Sequence, residues 1–336
     1  MKLSAHLGDT AVQTDLMLAR PAQPMLDAPR SVSVKAGSAV RFGVVSAAGF
    51  TVTASGLPAG ATFDSETGVL DWLPSAEDLG TYKVTFSTAG PSGSLSKTTA
   101  IEIGSGLPKL INVRNYATAS DTSMCSSGSL ATIVGSFLSP STVPVANATG
   151  DGTELGDTRV RVGGDYARLL SVSAERVDFI CPTAPTGTQF AVSVETPAGQ
   201  SQSASIVVSA SVPGILTVSR DGKGQAVAFR EGTSDLAAIP APELNGAPVT
   251  GGDTLSVLVT GIGCDPNTVT PLPLLRFGDQ YALAKSVVPL PGQSGICRVN
   301  VEVPAGMPSG RTPLTLESPG PNGNLTSNTA SIAIEN

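Results

Sequence analysis

Histidine is almost missing from this chain: of 336 residues only His6 is one, and it stands in the loosely patterned N-terminal tract. Ser-His-Asp and Cys-His machinery, and most zinc-hydrolase sites, need imidazoles held in place by supporting groups, so that chemistry is excluded. Aromatic residues make up only 4% of the chain, with Trp72 the sole tryptophan, which argues against a stacking platform for sugars. Basic residues are outnumbered, 20 Lys and Arg against 27 Asp and Glu. The resulting net charge of -7 and pI of 4.8 rule against nucleic acid as a partner, because phosphate binding needs a surplus of cations. Every apolar run is interrupted by Gly, Pro or a charge before the ~18 residues a membrane span requires, so no span is expected in this chain. The opening MKLSAHLGDTAVQTDLMLAR lacks the positive cap and continuous apolar core of a signal peptide. Either export is specified ahead of this sequence or the protein stays inside. Four cysteines in a turn-rich chain favour the first, and with it an extracellular or cell-surface location.

What is present is 40% hydrophobic residues against only 14% charged, with 37 Gly and 26 Pro. That composition suits many short strands joined by tight turns rather than amphipathic helices with charged outer faces. The length is too great for one sandwich of about 100 residues and right for three. The fold class expected is therefore all-β, with tandem immunoglobulin-like β-sandwiches and little helix. Residues 1–20 form an N-terminal strand or the remnant of a preceding domain. A strand-like run from Ala11 to Leu18, with no partner of its own, precedes the Pro-rich stretch ARPAQPMLDAPR, which reads as a linker. The run is the last strand of a preceding domain, a strand completing the first sandwich, or an arm that pairs with another molecule.

Residues 21–104 make the first sandwich. Alternation such as Val32, Val34 and Val40, Phe42 turns one face inward, as half-buried antiparallel strands require. The run GLPAGATFDSETGVLDWLPSAEDLGTYKVTF resembles the bacterial Ig domains related to cadherin and dystroglycan repeats. In that family LPxGxxFDxxTGxxxWxP forms a hairpin ahead of the closing strands, and the resemblance implies that Trp72 packs into the core.

From Leu107 onward two segments echo each other, giving sandwiches at 105–210 and 211–336. SGSLATIVGSFLSP, TRVRVGGDYARLLSV and RVDFICPTAPTGTQFAVSVETPAGQ are answered by GGDTLSVLVTGIGCDP, PLLRFGDQYALAKSV and CRVNVEVPAGMPSGRTPLTLESPG. Both resemble the TIG class of Ig-like domains. The tract as a whole, with VPGILTVSRDGKGQAVAF between its halves, is similar to a C-terminal domain of large secreted acidobacterial proteins of the Solibacter type. This resemblance implies secretion and an Ig-like fold, and no defined activity.

Cys125 lies ahead of the first opening strand and Cys181 ends VDFIC; Cys264 follows the second opening strand and Cys297 begins CRVNV. Four cysteines permit three pairings, between which sequence alone does not choose. One bridge per half would join Cys125 to Cys181 and Cys264 to Cys297. Aligning VDFICP with VNVEVP sets Cys181 opposite Val303, so the two bridges would have arisen separately. A four-thiolate zinc site is the alternative, and the chain has none of the CxxC knuckles that zinc modules favour.

Paired carboxylates carry no spacing motif, so acid clusters need separate consideration. Asp64, Glu66 and Asp71 lie in FDSETGVLDW, where turn residues flanking Gly68 are the expected reading. Asp151, Glu154 and Asp157 lie in the longer 146–158 loop and are the candidate calcium ligands, since calcium takes six to eight oxygens and short acidic loops supply several. No catalytic or cofactor-binding residue is identified, and calcium is the one cofactor considered. Tyr82 has a strand position, and Tyr166 and Tyr281 occupy equivalent places in GGDYARL and GDQYALA, which points to a structural use.

The reading that follows is a non-catalytic structural or adhesive module of a bacterial secreted or surface protein, possible as a subunit of an assembly or filament. Short connections at 104–108 and 210–214 predict near-fixed neighbours and an extended rod. Residues 11–18 added to the next molecule's sheet edge would build a head-to-tail polymer. The alternative is a carbohydrate- or calcium-dependent accessory module of a larger secreted protein. Partners are then other protein domains, copies of the chain itself, or a surface glycan.

Overall fold

A computed structural model describes residues 2–7, 10–15, 25–47, 49–90, 93–118, 123–144, 152–241, 244–264, 271–320 and 323–336. Among the described residues the one helical element is a single 3-10 turn, Ala76–Asp78, capped by the Ser75 hydroxyl, and nearly all other regular structure is strand. The fold is all-β, built from tandem Ig-like sandwiches. The chain divides into two compact units, 1–105 and 106–336.

In the first unit, Ser31–Lys35, Gly93–Gly104, Gly80–Gly90 and Thr51–Ser55 form one sheet in that spatial order. The Ser31 strand runs parallel to its neighbour and the rest are antiparallel. Val40–Gly43, Val69–Trp72 and Thr62–Asp64 form a second sheet. Alternation on both fills the core with Val40, Leu70, Val84, Phe86 and Ile101, each fully buried. Trp72 belongs to this core at 2% exposure; its indole N–H donates to the Ala59 carbonyl at 3.1 Å, and its ring meets Tyr82 edge-on at 5.0 Å.

The run expected to stand unpaired is paired. Thr10–Asp15 is antiparallel to Lys2–Leu7, in a two-stranded sheet separate from those of the sandwich. The Gly8-Asp9 dipeptide between two alternating runs is the sequence signal for such a hairpin. Residues 16–18 of that run lie outside the described residues.

The second unit carries two cores, one drawn from residues 113–206 and one from 215–334. In the first of these sandwiches Lys109–Asn115, Leu130–Ser136, Arg176–Ile180 and Leu169–Val172 form one sheet. Met124–Ser126, Ala204–Ser209, Gln189–Thr196, Arg159–Val162 and Asp165–Tyr166 form the other. The next sandwich repeats the plan in register: Ile133 pairs with Val177 as Val257 pairs with Val299. Cys125 is bonded to Cys181 and Cys264 to Cys297, one bridge in each core. Bridging loops of 56 and 33 residues restricts the unfolded chain by about 4 kcal/mol each.

Candidate functional site

The acidic groups of the first unit do not converge. Asp64 accepts from the backbone N–H of Glu66 at 2.8 Å and of Thr67 at 3.3 Å, closing the hairpin turn that leads to Gly68. Chiefly the Glu66 N–H holds the Asp64 carboxyl below its ordinary value. Gly68 sits at φ +70°, and a Cβ there would lie 2.3 Å from the Val44 carbonyl, so only glycine fits. Asp71 instead faces Arg41 across the sheet at 3.5 Å. In the 146–158 loop, Asp151 lies outside the described residues and Glu154 is ion-paired with Arg159 at 2.8 Å. Asp157 takes a left-handed backbone conformation at φ +56°. Among the described residues no three His, Cys, Asp or Glu side chains come together as a metal site would require.

Tyr166 and Tyr281 occupy the same point of the repeated hairpin, each directly across from an arginine: Arg161 pairs with Tyr166, and Arg276 with Tyr281. The guanidinium lies over the ring in both, at 4.5 Å and 5.7 Å from the centroid. The first pair is tied further. Glu195, on the adjoining strand, accepts from Arg161 Nε at 2.9 Å and from the Tyr166 hydroxyl at 2.8 Å. These bonds, that from Arg161 first, hold the Glu195 carboxyl below its ordinary value. The matching position of the second sandwich, Glu317, accepts from Asn324 instead. The shared element is a cross-strand cation–π pair that braces a hairpin, worth about 0.5–1 kcal/mol at an exposed site.

A second repeated cluster is invisible to alternation. Asp178, 2% exposed, sits between Thr132 and Ser171 of the flanking strands and accepts a hydrogen bond from each hydroxyl. Arg176 Nε adds a charged bond at 2.8 Å, and its guanidinium covers Tyr116 at 4.9 Å. Burial, then the nearby Asp178 charge, pushes the Tyr116 phenol above its ordinary value. Asn300 takes the same place in the next sandwich: Ser256 donates to its Oδ1 at 2.7 Å, and its Nδ2 donates to Ser286 at 3.1 Å. A carboxylate in one copy and an amide in the other share one task, joining three strands through side chains. That is structural work.

The third group joins the two sandwiches of the second unit. Asn115, fully buried, donates from Nδ2 to the Val212 carbonyl at 2.6 Å while its Oδ1 accepts from the Ala117 N–H at 2.8 Å. Thr260, also fully buried, accepts from the Leu130 N–H at 3.0 Å and donates to the Gly295 carbonyl at 2.7 Å. The connection itself is pinned: Val212 N–H and the Ser211 hydroxyl both donate to the Gly261 carbonyl, at 2.8 and 3.0 Å. A Cβ on Gly261, at φ +81°, would lie 1.9 Å from the Val212 carbonyl. Arg176 Nη1 reaches the Arg220 carbonyl at 3.0 Å from the other side. Beside this seam lies a crevice of about 470 Å³, open to solvent and walled by both sandwiches. Cys264 and Cys297 line it.

Residues 23–104 match the family model described as "Putative Ig domain". No curated protein matches the chain. Among solved structures, the chain is 22% identical to a "putative alpha-galactosidase" of Bacteroides fragilis, over 26% of this chain and 20% of that one, with a TM-score of 0.23. It therefore spans a fifth of that protein's length. It is 13% identical to SGBP-B of the Bacteroides ovatus mixed-linkage glucan utilization locus, solved with a mixed-linkage heptasaccharide, over 94% of this chain and 71% of that one, with a TM-score of 0.29. An I-band fragment of titin is 11% identical over 94% of this chain and 100% of its own, with a TM-score of 0.22.

Proposed function

We propose that the chain is a non-catalytic structural module of a bacterial secreted or cell-surface protein, in which residues 106–336 act as one stiff body rather than two beads on a string. The observation that carries this reading is the seam. Two fully buried polar side chains, Asn115 and Thr260, each make one hydrogen bond to a backbone group of the opposite sandwich and one within their own. An unpaired buried polar group costs about 1–3 kcal/mol, so parting the sandwiches exposes or orphans several such groups at once. Flexible tandem domains have no need of a seam of this kind. Two disulfides support an oxidising, extracytoplasmic setting. No helix among the described residues is long and apolar enough to cross a membrane.

Single-molecule pulling on the full-length oxidised protein tests the role. A structural module of this design gives one rupture for residues 106–336, with the chain enclosed by each bridge released only after reductant is added. Two separate ruptures at unequal force, one per sandwich, would overturn the proposal.

A further inference from the structure

The two repeated sandwiches end one of their sheets differently. In both, a hairpin supplies the edge strand: Asp165–Tyr166 beside Arg159–Val162, and Gln280–Leu283 beside Leu274–Phe277. An open edge is a template for pairing with another chain, and proteins blunt it with short strands and charges. The first edge is blunted. Its strand has two residues, and the exposed Arg168 follows, its carbonyl accepting from the Ile180 N–H at 2.9 Å. The second edge has four residues, the uncharged Gln-Tyr-Ala-Leu, and Leu283, 61% exposed, stands where the first copy has Arg168. Among the described residues this strand pairs with Leu274–Phe277 alone.

The register fixes which backbone groups face outward. Ala284 N–H donates to the Pro273 carbonyl at 3.0 Å, and along an antiparallel pair bonded and non-bonded positions alternate. Counting back from Ala284, Ala282 and Gln280 bond to the neighbouring strand, opposite Leu275 and Phe277, while Tyr281 and Leu283 turn their N–H and C=O groups away from it. The side chains of Tyr281 and Leu283 share the outer face of the sheet, with Arg276 directly across from Tyr281 and Leu274 from Leu283. Tyr281 is 51% exposed.

We propose that this edge pairs with the same edge of a second copy of the chain, antiparallel about a two-fold axis at Ala282. That register sets Tyr281 opposite the partner's Leu283 and Leu283 opposite the partner's Tyr281. The outward N–H and C=O groups of each then answer those of the other, and two five-stranded sheets become one continuous sheet. Leu274, Leu283 and the partner's Tyr281 form an apolar row across the axis, of the kind that stabilises neighbouring strands. At the ends of the contact Asp279 meets the partner's Lys285. Both charges are at the surface and held only by local ion pairs, Asp279 with Arg276 at 3.3 Å and Lys285 with Glu302 at 2.8 Å. A slip of one residue would set outward groups against bonded ones and lose the new hydrogen bonds. The contact uses the same surface twice, so it closes as a dimer rather than growing into a filament. This goes beyond the structural role and does not rest on it.

The test is sedimentation equilibrium on the full-length oxidised protein, with amide exchange followed by NMR on the same samples. Two short strands make a small contact, so a monomer–dimer equilibrium is expected between about 10 μM and 1 mM. As concentration rises, exchange should slow at the Tyr281 and Leu283 amides and stay unchanged at Ala282 and Ala284, which are already bonded. Leu283→Pro removes an outward N–H, a change that edge strands tolerate. Leu283→Arg gives this edge the charge that Arg168 gives the first, and brings a cation beside the partner's Arg276. Each is expected to weaken the dimer at least about tenfold while keeping the wild-type denaturation midpoint. Should one variant fail to fold, the other and the amide pattern of the unaltered protein decide. A monomer throughout the range would overturn the proposal. So would assemblies larger than a dimer, a dimer without protection at Tyr281 and Leu283, or one that neither substitution weakens.

Discussion

Asp178 and Asn300 stand at the same point of two successive sandwiches, each bonded to a hydroxyl from the strand on either side. The arginine two residues earlier is also shared. Arg176 Nε bonds Asp178, whereas Arg298 Nε is buried without a hydrogen-bond partner beside Asn300.

The pair predicts a reciprocal exchange. Asp178→Ala strands Thr132, Ser171 and Arg176 together and is expected to cost about 3 kcal/mol in chemical denaturation. Asn300→Asp offers Arg298 the partner it lacks and is expected to cost less than about 1 kcal/mol. A loss of about 3 kcal/mol on both sides would show that the two positions are alike in place only.

Glu195 predicts a pH dependence. Its carboxyl is held below the ordinary value of 4.5, first by Arg161 and then by Tyr166. A depressed folded pKa contributes stability that is fully present above the unfolded value and is lost as pH falls through the folded one. The stability difference between wild type and Glu195→Gln is therefore expected to be largest near neutrality and to close below pH 4.5. A difference that stays constant down to pH 3 would remove the carboxylate from the explanation.

The two bridges differ in access. Cys125 and Cys181 are 0% and 1% exposed, whereas Cys264 is partly exposed and lines the crevice. Thiol attack needs access to a sulfur. Brief reduction of the native protein followed by alkylation and mass spectrometry should label Cys264 and Cys297 first. Simultaneous labelling of all four cysteines would mean that reduction proceeds through global unfolding.

Calcium is the remaining sequence-based proposal. Glu154 already pairs with Arg159 through one carboxylate oxygen, so a cation at this loop would compete with that arginine. Millimolar calcium is expected to leave the melting temperature unchanged. A rise reversed by chelator would establish the 146–158 loop as a calcium site.

Much of this architecture was legible in the residues. Trp72 reads as core from its hairpin, and the equivalence of Tyr166 and Tyr281 follows from the repeat and reappears as one cross-strand arginine pair in each sandwich. Asp178 was not legible. In VDFIC the inward residues are Val177 and Phe179, so alternation turns Asp178 towards solvent, yet the strand is buried on both faces. What covers the outer face is Arg176 over Tyr116 and the turn around Arg220, which comes from the next sandwich and is remote in sequence. Asn115 escaped for the same reason, since its partner Val212 is 97 residues away. Polar residues that close a sandwich or join two of them are set by such non-local contacts, and local pattern does not reach them.

The seam is tested most directly by denaturant-dependent hydrogen exchange with mass spectrometry on the full-length oxidised protein. Peptides covering Leu130–Ser136 and Thr254–Thr260 are expected to open with the same free energy and the same denaturant slope. Gly261→Ala, which drives a Cβ into the Val212 carbonyl, should separate them, while Gly164→Ala, with nothing within 4 Å of its added Cβ and no left-handed backbone, should not. Two different opening free energies in the unaltered protein would contradict the account, because the sandwiches would then be independent domains that merely touch.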